Sequence, residues 1–523
     1  MTTNEIFVII VTNKGALSPY IERNNVMKKL IAFSLVLTMM LSMLVVTANA
    51  AAWDGTTASA SLKGEGTEAN PYLIETAEDL KYIQVKVNDG ENFAGKYFKQ
   101  TADIDLNNKE WTPIGERTAK PFIGLYDGNG YKIVNFYQTF SYRFGGLFAY
   151  MTTTADFTPG LINITLEGKM EGGNRVGDIY SGALLGWCQQ SNNDTNKIVL
   201  ANCVVDVDMT LDVTGKGITG DLILANVLAR SGYASVINCV CNGDVTVIAD
   251  GSKVTAGGVV GYAPDTDVIN CVNNGNITAK TTAAKDIYCG GVVGTTASSK
   301  IALTIENCIN YGTVNTDGGN ACYTGGTVGC SAAANTTITN CANAGDVTAI
   351  SSSASALPYA GGVLGYTNKE GVVVAGCYNN GIPATINDNK SGHAPGGIVG
   401  VMNNAKDTTN LKDSATTFTT FKGWMAATNP ATNCTAEADA TVVAAAIKAI
   451  EDVINAADTA TVNGITIKFA EPAADVPPAP ETTLPETTEP EAPAETGDAS
   501  MIFVVIAVIS LAGVAIVAKK REN

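Results

Sequence analysis

One repeat dominates the middle of this 523-residue chain. It is a block of two glycines, two mostly aliphatic residues and a further glycine, and its five clearest copies start 33, 35, 36 and 35 residues apart. The copies begin at Gly257, Gly290, Gly325, Gly361 and Gly396. A fixed period of this length indicates one supersecondary unit per repeat, which can bury its apolar face only by stacking on its neighbours. We therefore expect a repeat protein.

A second pattern accompanies the glycine blocks. Most copies are followed by a strand-like segment that ends in cysteine, and in the clearest copies a glycine stands four residues further on. The cysteines are Cys203, Cys239, Cys271, Cys308, Cys341 and Cys377. A weaker copy near Gly145 has Ile164 in the cysteine slot. Together these copies make about eight units over residues 144–408.

The units predict an all-β fold. Each has three short strand candidates rich in Val and Ile and lacks an amphipathic helix, which is typical of a solenoid. The sequence therefore predicts a right-handed parallel β-helix of about eight coils, with glycine pairs at tight corners. A propeller of the WD type has a similar period, but it needs four strands and usually recurrent aromatic residues in each blade.

The cysteine ladder is best explained by packing. A slot that accepts Ile164 in one coil is apolar, and a buried free cysteine behaves as a small hydrophobic residue. Disulfides are the usual expectation for an exported chain with 12 cysteines. Metal binding would need clustered Cys and His. We predict that the ladder thiols are reduced and buried, and that Asn270, Asn307 and Asn340 beside them form turns or a hydrogen-bonded ladder.

Both ends of a β-helix need cover, because exposed strand edges recruit other chains. Residues 51–143 are predicted to be an N-terminal α/β cap, in which Thr76 begins a helix with apolar residues at Leu80, Ile83 and Val87. Residues 409–470 are predicted to be a C-terminal cap, with a helix over 440–456 and a strand over 464–469.

The N-terminal segments together with the repeats resemble the GLUG-motif proteins, a family of bacterial surface β-helices. The segments that carry the resemblance are Gly64–Ile74, Asp103–Leu106, Trp111–Gly115, Pro121–Gly130 and the glycine-pair blocks, so it covers roughly Gly64 to Val401. The resemblance implies a surface-exposed β-helix, and such regions also accompany some secreted IgA-cleaving proteases. It does not imply a protease here, because the His-Glu-x-x-His motif of zinc peptidases is missing from the sequence.

The chain ends predict export and anchoring at the cell surface. A basic, then apolar, then small-residue pattern after Met27 is typical of a signal peptide, and an apolar run before a basic tail is typical of a membrane helix. Met27 is predicted to be the true start, with residues 1–26 a mis-assigned extension; the alternative is a long n-region that begins at Met1. The other predicted segments are a signal peptide at 27–50, a disordered Pro/Glu/Thr-rich stalk at 471–499, a transmembrane helix at 500–518 and a cytoplasmic tail at 519–523.

The C-terminal end also resembles the sorting signal of sortase-anchored Gram-positive wall proteins. The motif Leu484-Pro485-Glu486-Thr487 is present, but Thr488 replaces the expected glycine, and Pro493 and Ala494 replace Leu and Pro before the second candidate. Two alternatives therefore stay open: a plain membrane anchor and covalent attachment to the wall.

Catalytic chemistry has little support in the sequence. His393 is the single histidine and lies between a glycine and an Ala-Pro pair, which suits an exposed loop. Carboxylate pairs spaced i,i+2 would share one strand face, as acid/base or calcium chemistry requires. The pairs are Asp103 with Asp105, Asp206 with Asp208, and Asp265 with Asp267. We assign no catalytic, cofactor-binding or metal-binding residue.

Two function classes follow. We expect a non-catalytic adhesin whose partner is an extracellular glycan or a surface protein of a host or neighbouring cell. The alternative is a carbohydrate-active β-helix enzyme, a polysaccharide lyase or hydrolase, that uses paired carboxylates. The charge balance disfavours nucleic acid as a partner, because 33 basic residues against 50 acidic ones provide no excess of cations to neutralise phosphates.

Overall fold

The computed structural model describes residues 52–470, apart from 117, 192–195, 298–300, 354–355, 388–394, 403–410, 418–421, 426–433 and 437. Over this range the chain winds into a parallel β-solenoid of about seven turns, compared with the eight predicted. Strands of successive turns pair in parallel, as in Val254–Gly257 with Ile287–Gly290. This pairing excludes the propeller, whose blades are built within one repeat.

Four sheets run along the solenoid, one more than the three strand candidates per unit suggested. Sheet 1 contains Phe144–Gly145, Ile179–Gly182, Leu222–Ala225, Val254–Gly257, Ile287–Gly290, Cys322–Gly325 and Pro358–Gly361. Sheet 2 contains Phe148–Thr152, Leu185–Gln189, Leu228–Arg230, Val260–Ala263, Val293–Thr296, Val328–Ser331, Leu364–Thr367, Val399–Met402 and Lys422–Met425. The glycine block lies at the corner between these two sheets.

Sheets 3 and 4 complete each turn. Sheet 3 contains Tyr72–Ile74, Tyr97–Gln100, Leu125–Asp127, Gly160–Ile162, Ile198–Ala201, Ala234–Ile237, Thr266–Ile269, Leu303–Glu306, Thr336–Thr339, Val373–Ala375 and Leu411–Lys412. Sheet 4 contains Ile104–Asp105, Lys132–Gln138, Thr165–Glu171, Val204–Asp212, Val240–Cys241, Val245–Ala249, Val272–Asn273, Ile277–Thr281, Ile309–Asn310, Val314–Gly318, Ala342–Asn343, Val347–Ser351, Tyr378–Asn379, Pro383–Ile386 and Ala415–Thr416.

The N-terminal module is continuous with the solenoid. Its strands Tyr72–Ile74 and Tyr97–Gln100 begin sheet 3, and Ile104–Asp105 pairs into sheet 4. Helix α1, Ala77–Asp89, begins after Thr76 as predicted, and Thr76 forms a capping box with Asp79. The helix buries Leu80, Ile83 and Val87 in the same apolar core as the first turns.

The predicted cysteine ladder is confirmed as a buried row. All six ladder cysteines are unbonded and at most 1% exposed. Each thiol lies against the backbone carbonyl two residues earlier, as Cys308 Sγ does with Glu306 O at 3.3 Å. The asparagine before each of the first five has a left-handed backbone, with φ from 50° to 56°. Asn307 Nδ2 donates to Asn270 Oδ1 at 3.0 Å, so these asparagines are both turn residues and rungs.

A second asparagine ladder is buried inside the rod, two residues after each of the last four ladder cysteines. Asn273, Asn310, Asn343 and Asn379 donate in sequence from one Nδ2 to the next Oδ1 at 2.7–2.8 Å. Each Nδ2 also donates to a backbone carbonyl of its own turn, such as Gly312 O for Asn310 at 2.7 Å. The amides face the glycine corner, which leaves no space there for a side chain. A Cβ on Gly291 would lie 2.2 Å from Asn310 Cγ.

The C-terminal segment lies along the flank of the rod. Helix α2, Ala440–Asn455, buries Val443, Ile447, Ile450 and Ile454 with Ile309 and Ala342 of sheet 4, on the outside of successive turns. The sequence pattern also predicts Val442 and Val453 on the apolar face of this helix, but both are exposed. The hairpin Thr459–Val462 and Ile465–Lys468 then covers Ile162, Ala201 and Ile237 on the outer face of sheet 3. Residues 438–470 thus form a strap along the rod, in place of the predicted end cap.

The strap runs back toward the N-terminal turns because those turns have an apolar outer row. Along one row of sheet 3, Ile162, Ala201, Ile237 and Ile269 are followed by Glu306, so the surface becomes polar where the hairpin ends. Asn463 at the hairpin tip clamps Lys197, accepting from its N–H at 2.9 Å and donating to its carbonyl at 2.8 Å.

Candidate functional site

The outer faces of sheets 1 and 2 meet in a groove along the rod. Tyr359 projects from sheet 1 and Tyr366 from sheet 2, yet their ring centroids are 5.0 Å apart. Tyr323, one turn earlier on sheet 1, is 4.9 Å from the same Tyr366 ring. Side chains of two adjoining sheets can touch on the outside only where the corner between them is concave.

A tyrosine ladder lines the C-terminal part of the groove. Tyr288, Tyr323 and Tyr359 occupy one position of three successive turns, in register. Their rings are stacked, with centroids 4.9 and 5.1 Å apart and interplanar angles of 17° and 7°. All three rings are half-buried, so each is supported by its neighbour and still reaches the surface.

The N-terminal part of the groove is filled by a denser cluster. Trp187 lies 5.0 Å from Phe144 and 5.3 Å from Tyr150, measured between ring centroids. The Arg230 guanidinium lies over the Trp187 and Tyr262 rings, at 5.3 Å from each centroid. Phe144 and Tyr150 are buried, whereas Trp187, Arg230 and Tyr262 are half-buried. The accessible floor of the whole groove is therefore Trp187, Arg230, Tyr262, Tyr288, Tyr323, Tyr359 and Tyr366.

Polar groups line the edge of the groove where the strands of sheet 1 begin. Tyr288 donates its hydroxyl to Asp286 Oδ2 at 3.1 Å, and Asn320 Nδ2 donates to Asp286 Oδ1 at 2.8 Å. Lys253 Nζ lies 4.7 Å from the Tyr288 ring centroid. Burial, assisted by the Asp286 charge, raises the pKa of Tyr288, so its hydroxyl stays protonated and neutral. The groove therefore combines neutral rings with hydrogen-bonding groups.

The first predicted carboxylate pair has structural partners. Asp103 and Asp105 are both exposed and flank buried Ile104, so they share a face as predicted. Asp103 Oδ1 accepts from the Lys132 N–H at 2.8 Å. Asp105 Oδ1 accepts from the Asn107 N–H at 2.7 Å and from Asn135 Nδ2 at 2.8 Å. The bonds from Lys132 and Asn135 hold one turn to the next.

The second pair lies on the exposed face of sheet 4, also as predicted. Asp206 and Asp208 alternate with buried residues in Val204–Asp212, and Asp206 is in register with Glu167 of the preceding turn. Burial raises the pKa of Asp206, and repulsion from Glu167 and Asp208 raises it further. Asp208 Oδ1 accepts from the Asp244 N–H at 2.9 Å. None of these groups lies in the groove.

The third pair does not share a strand face, so that prediction is wrong. Asp265 has a left-handed backbone with φ of 48° in the turn before Thr266–Ile269, and only Asp267 belongs to the strand. Asp267 forms an ion pair with Lys197 and accepts from the Thr304 N–H at 3.2 Å. His393 lies outside the described residues. Within the described part of the chain, no group of three or more His, Cys, Asp or Glu could hold a metal ion.

Sequence reasoning missed the groove, although a signal for it exists. The tyrosines precede the glycine pairs in Tyr288-Cys-Gly-Gly, Tyr323-Thr-Gly-Gly and Tyr359-Ala-Gly-Gly, at spacings of 35 and 36 residues. Aromatic residues are few in the composition, so this periodic placement is not evident from composition alone.

The fold and the groove define the chain as a parallel β-solenoid with an aromatic outer strip. No family model matches it, so the GLUG resemblance stays a prediction. Over 75 residues it is 41% identical to a "Putative Gly-rich membrane protein" of Evansella cellulosilytica. That match spans 14% of this chain and only 9% of the relative.

A solved structure is similar in part. It is described as a putative immunoglobulin A1 protease from Bacteroides ovatus, and it shares 17% identity with a TM-score of 0.40, over 77% of this chain and 94% of that one. A likeness at this level does not extend to function. Among the described residues, no helix is long and apolar enough to cross a membrane; the predicted membrane helix at 500–518, the signal peptide and the stalk all lie outside them.

Proposed function

We propose that this protein is a non-catalytic cell-surface binding protein whose groove holds an extended extracellular glycan. The aromatic floor of the groove is the observation that carries the proposal. The proposal also includes the right-handed winding, the GLUG-type surface role and the C-terminal anchor expected from the sequence, so that the rod faces outward from the cell.

The chemistry of the floor favours a sugar polymer. The C–H faces of a pyranose ring pack on aromatic side chains, while its hydroxyls need polar partners such as Asp286, Asn320 and Lys253 at the edge. Tyr323, Tyr359 and Tyr366 provide rings with hydroxyl groups in one cluster. Arg230 is the one charged group of the accessible floor. A neutral or weakly acidic glycan therefore suits the site.

The shape of the groove favours an extended ligand. Successive turns stack at roughly 4.8 Å, so seven turns give a groove of about 30 Å. Contacts of one kind recur along this length, at Tyr288, Tyr323 and Tyr359. Each contact is weak by itself. A polymer that spans several turns makes several such contacts at once, so their binding energies combine. Many copies of the protein on one cell increase retention further.

The proposal excludes turnover at this site. Acid/base cleavage of a glycan needs two carboxyl groups facing the bound chain. The exposed pair Asp206 and Asp208 lies on sheet 4, and Asp286 at the groove edge is engaged by Tyr288 and Asn320. The groove thus has positions for sugars and lacks, among the described residues, a facing pair of carboxylates.

Affinity electrophoresis of the full-length protein in gels containing soluble polysaccharides tests the proposal. We expect wild type to be retarded by at least one neutral or weakly acidic glycan. The double variant Tyr323→Ala/Tyr359→Ala removes two rings, each worth about 0.5–1.5 kcal/mol beyond its buried area, so the dissociation constant should rise about tenfold.

A matched control is Tyr137→Ala, which removes a half-buried tyrosine from the outer face of sheet 4. This variant should be retarded like wild type. Equal retardation of wild type and the double variant would contradict the groove as the binding site. Retention by surface proteins but by none of the glycans would replace the glycan with a protein partner.

A further inference from the structure

A cavity of about 310 Å³ opens on the outer face of sheet 3, and neither sheet of the groove contributes to it. Its size is near the lower end of the roughly 300–1,000 Å³ that is typical of small-ligand sites. Three separate parts of the chain form its walls: the N-terminal module, the strands of sheet 3 and the hairpin of the strap.

The floor of this cavity is apolar. Leu125 and Ile162 project outward from sheet 3, and Ile467 comes from the hairpin. Tyr97 and Phe157 close one side, with their rings edge to face at 5.3 Å. An apolar side chain of a ligand could pack against these residues.

Charges of both signs surround that floor. Glu68 and Asp127 line the cavity together with Lys99 and Lys468. Lys99 and Asp127 are neighbours in register on sheet 3. In the described structure the ammonium group of neither lysine forms an ion pair or a hydrogen bond, and Asp127 Oδ1 is held by the Asn129 N–H and Asn163 Nδ2, each at 2.8 Å. The cavity is therefore suited to a ligand that carries both an ammonium and a carboxylate.

The hairpin provides a backbone edge along the same cavity. Ile465–Lys468 pairs on one side with Thr459–Val462, and the two strands form a sheet of their own among the described residues. Thr466, Ile467 and Lys468 line the cavity. An edge of this kind has free N–H and C=O groups, which an added strand can pair with.

We propose that this cavity binds a short peptide in extended conformation, which adds a third strand to the hairpin and places an apolar side chain on the Leu125 and Ile162 floor. Three residues line the edge, so three ligand residues, about 10 Å of extended chain, fill the site. The peptide termini meet Lys99 and Lys468 at the carboxylate and Glu68 at the ammonium. The site is independent of the groove and of its glycan.

Such a ligand joins the two ends of the described chain. It contacts the N-terminal module through Glu68 and Tyr97 and the strap through Thr466 and Lys468. Binding therefore stabilises the docking of the strap, because a ligand stabilises the state that it binds. Amide exchange of residues 459–470 should slow when the site is occupied.

Isothermal titration of full-length protein with the tripeptide Ala-Phe-Ala, free at both termini, tests this site. Wild type should bind it saturably, with slower amide exchange in the hairpin. Thr466→Trp fills the cavity and should weaken binding at least tenfold. The control is Thr461→Trp, because Thr461 is the exposed cross-strand neighbour of Thr466 and does not line the cavity.

The charges give a second test. The double variant Lys99→Ala/Lys468→Ala, or blocking both termini of the tripeptide, should each weaken binding at least tenfold. Three outcomes would overturn the proposal: no saturable binding by wild type, equal binding by Thr466→Trp, or binding of free phenylalanine as tight as that of the tripeptide. The last result would leave no role for strand addition.

Discussion

The two halves of the rod are filled in different ways. In the N-terminal turns large rings pack across the interior, with Phe122 at 5.6 Å from Phe98 and 5.0 Å from Phe148 between centroids. In the C-terminal turns the interior is a set of rows in which one small residue recurs, such as the ladders through Cys308 and Asn310. The first half is packed like an ordinary globular core, and the second like a stack of nearly identical layers.

The change between the two halves falls at one turn, where the buried asparagine lies on the other side of the glycine corner. In later turns the corner residue is glycine and the opposing residue is asparagine, as in Gly258 with Asn273. One turn earlier the corner residue is Asn226, and Cys241 takes the opposing slot. Asn226 Nδ2 donates to Gly243 O at 2.7 Å, just as Asn273 Nδ2 donates to Gly275 O at 2.7 Å. The hydrogen bond from the asparagine amide to a backbone carbonyl is therefore present in both kinds of turn, although the asparagine lies on opposite sides of the corner.

The largest expected effect is from filling a glycine corner of the layered half. A Cβ on Gly362 would lie 2.0 Å from Gly397 O and 2.3 Å from Asn379 Cγ, and neither can withdraw without breaking the ladder. Gly362→Val and Gly291→Val should each cost more than about 4 kcal/mol of unfolding free energy, the range of severe core disruption. Urea unfolding measures this. Thr278→Ala, on the outer face of sheet 4, is the control, and a similar loss in it would contradict the corner assignment.

The next effect separates the two kinds of interior. Phe122→Ala should cost about 3–5 kcal/mol through the cavity that it leaves. Asn343→Ala should cost about 1–3 kcal/mol, because one of the two Asn310 Nδ2 N–H groups loses its acceptor and Asn379 Oδ1 keeps only the Gly381 N–H, at 3.2 Å.

Double-mutant cycles sharpen this contrast. Asn310→Ala and Asn343→Ala should be strongly non-additive because they share one bonded row, whereas Phe122→Ala and Asn343→Ala should be additive within about 0.5 kcal/mol. Additivity within the asparagine row would show that its amides do not act as a ladder.

The smallest effect concerns the buried thiols. Burial raises the pKa of Cys271 and Cys341 well above that of a free thiol. A pKa raised on folding contributes stability below the unfolded pKa, and that stability is lost as the pH rises toward the folded pKa. The urea midpoint should therefore fall as the pH increases above about 8.5, the ordinary thiol pKa. Cys271→Val/Cys341→Val should flatten this slope, and an unchanged slope would contradict it.

Thiol counting checks the same ladder more simply. The unfolded protein without reductant should have all six ladder thiols free, and the folded protein should react slowly with an alkylating agent at neutral pH. Fewer than four free thiols among the six would count against packing as the reason for their positions.

The layered half could be predicted from the sequence because regular stacking requires the same residue type at the same place in each turn. For this reason the sequence predicts the Gly-Gly corners, the cysteine row and the turn asparagines beside Cys271 and Cys308. The buried asparagine ladder had an equally periodic signal, Cys-x-Asn in four turns, which was overlooked. The N-terminal turns lack such periodicity, so they were assigned to a separate cap.

The position of the strap could not be predicted in the same way. The apolar face of α2 predicted a helix, but its docking surface depends on the outer rows of distant turns, such as Ile309 and Ala342. Those rows alternate with inward residues and look like ordinary strand positions in the sequence. The groove was missed for a related reason, because Tyr359 and Tyr366 meet only when the corner between them is known to be concave.

The most direct test of the account asks whether the groove binds a glycan without cleaving it. The polysaccharide that retards wild type most strongly would be incubated with wild type, Tyr323→Ala/Tyr359→Ala and Asp206→Asn/Asp208→Asn, and its chain length and bound fraction would be measured together. We expect unchanged chain length in all three, with the bound fraction reduced only in the tyrosine variant. Release of shortened chains by wild type but not by the aspartate variant would contradict non-catalytic binding and establish a carbohydrate-active enzyme.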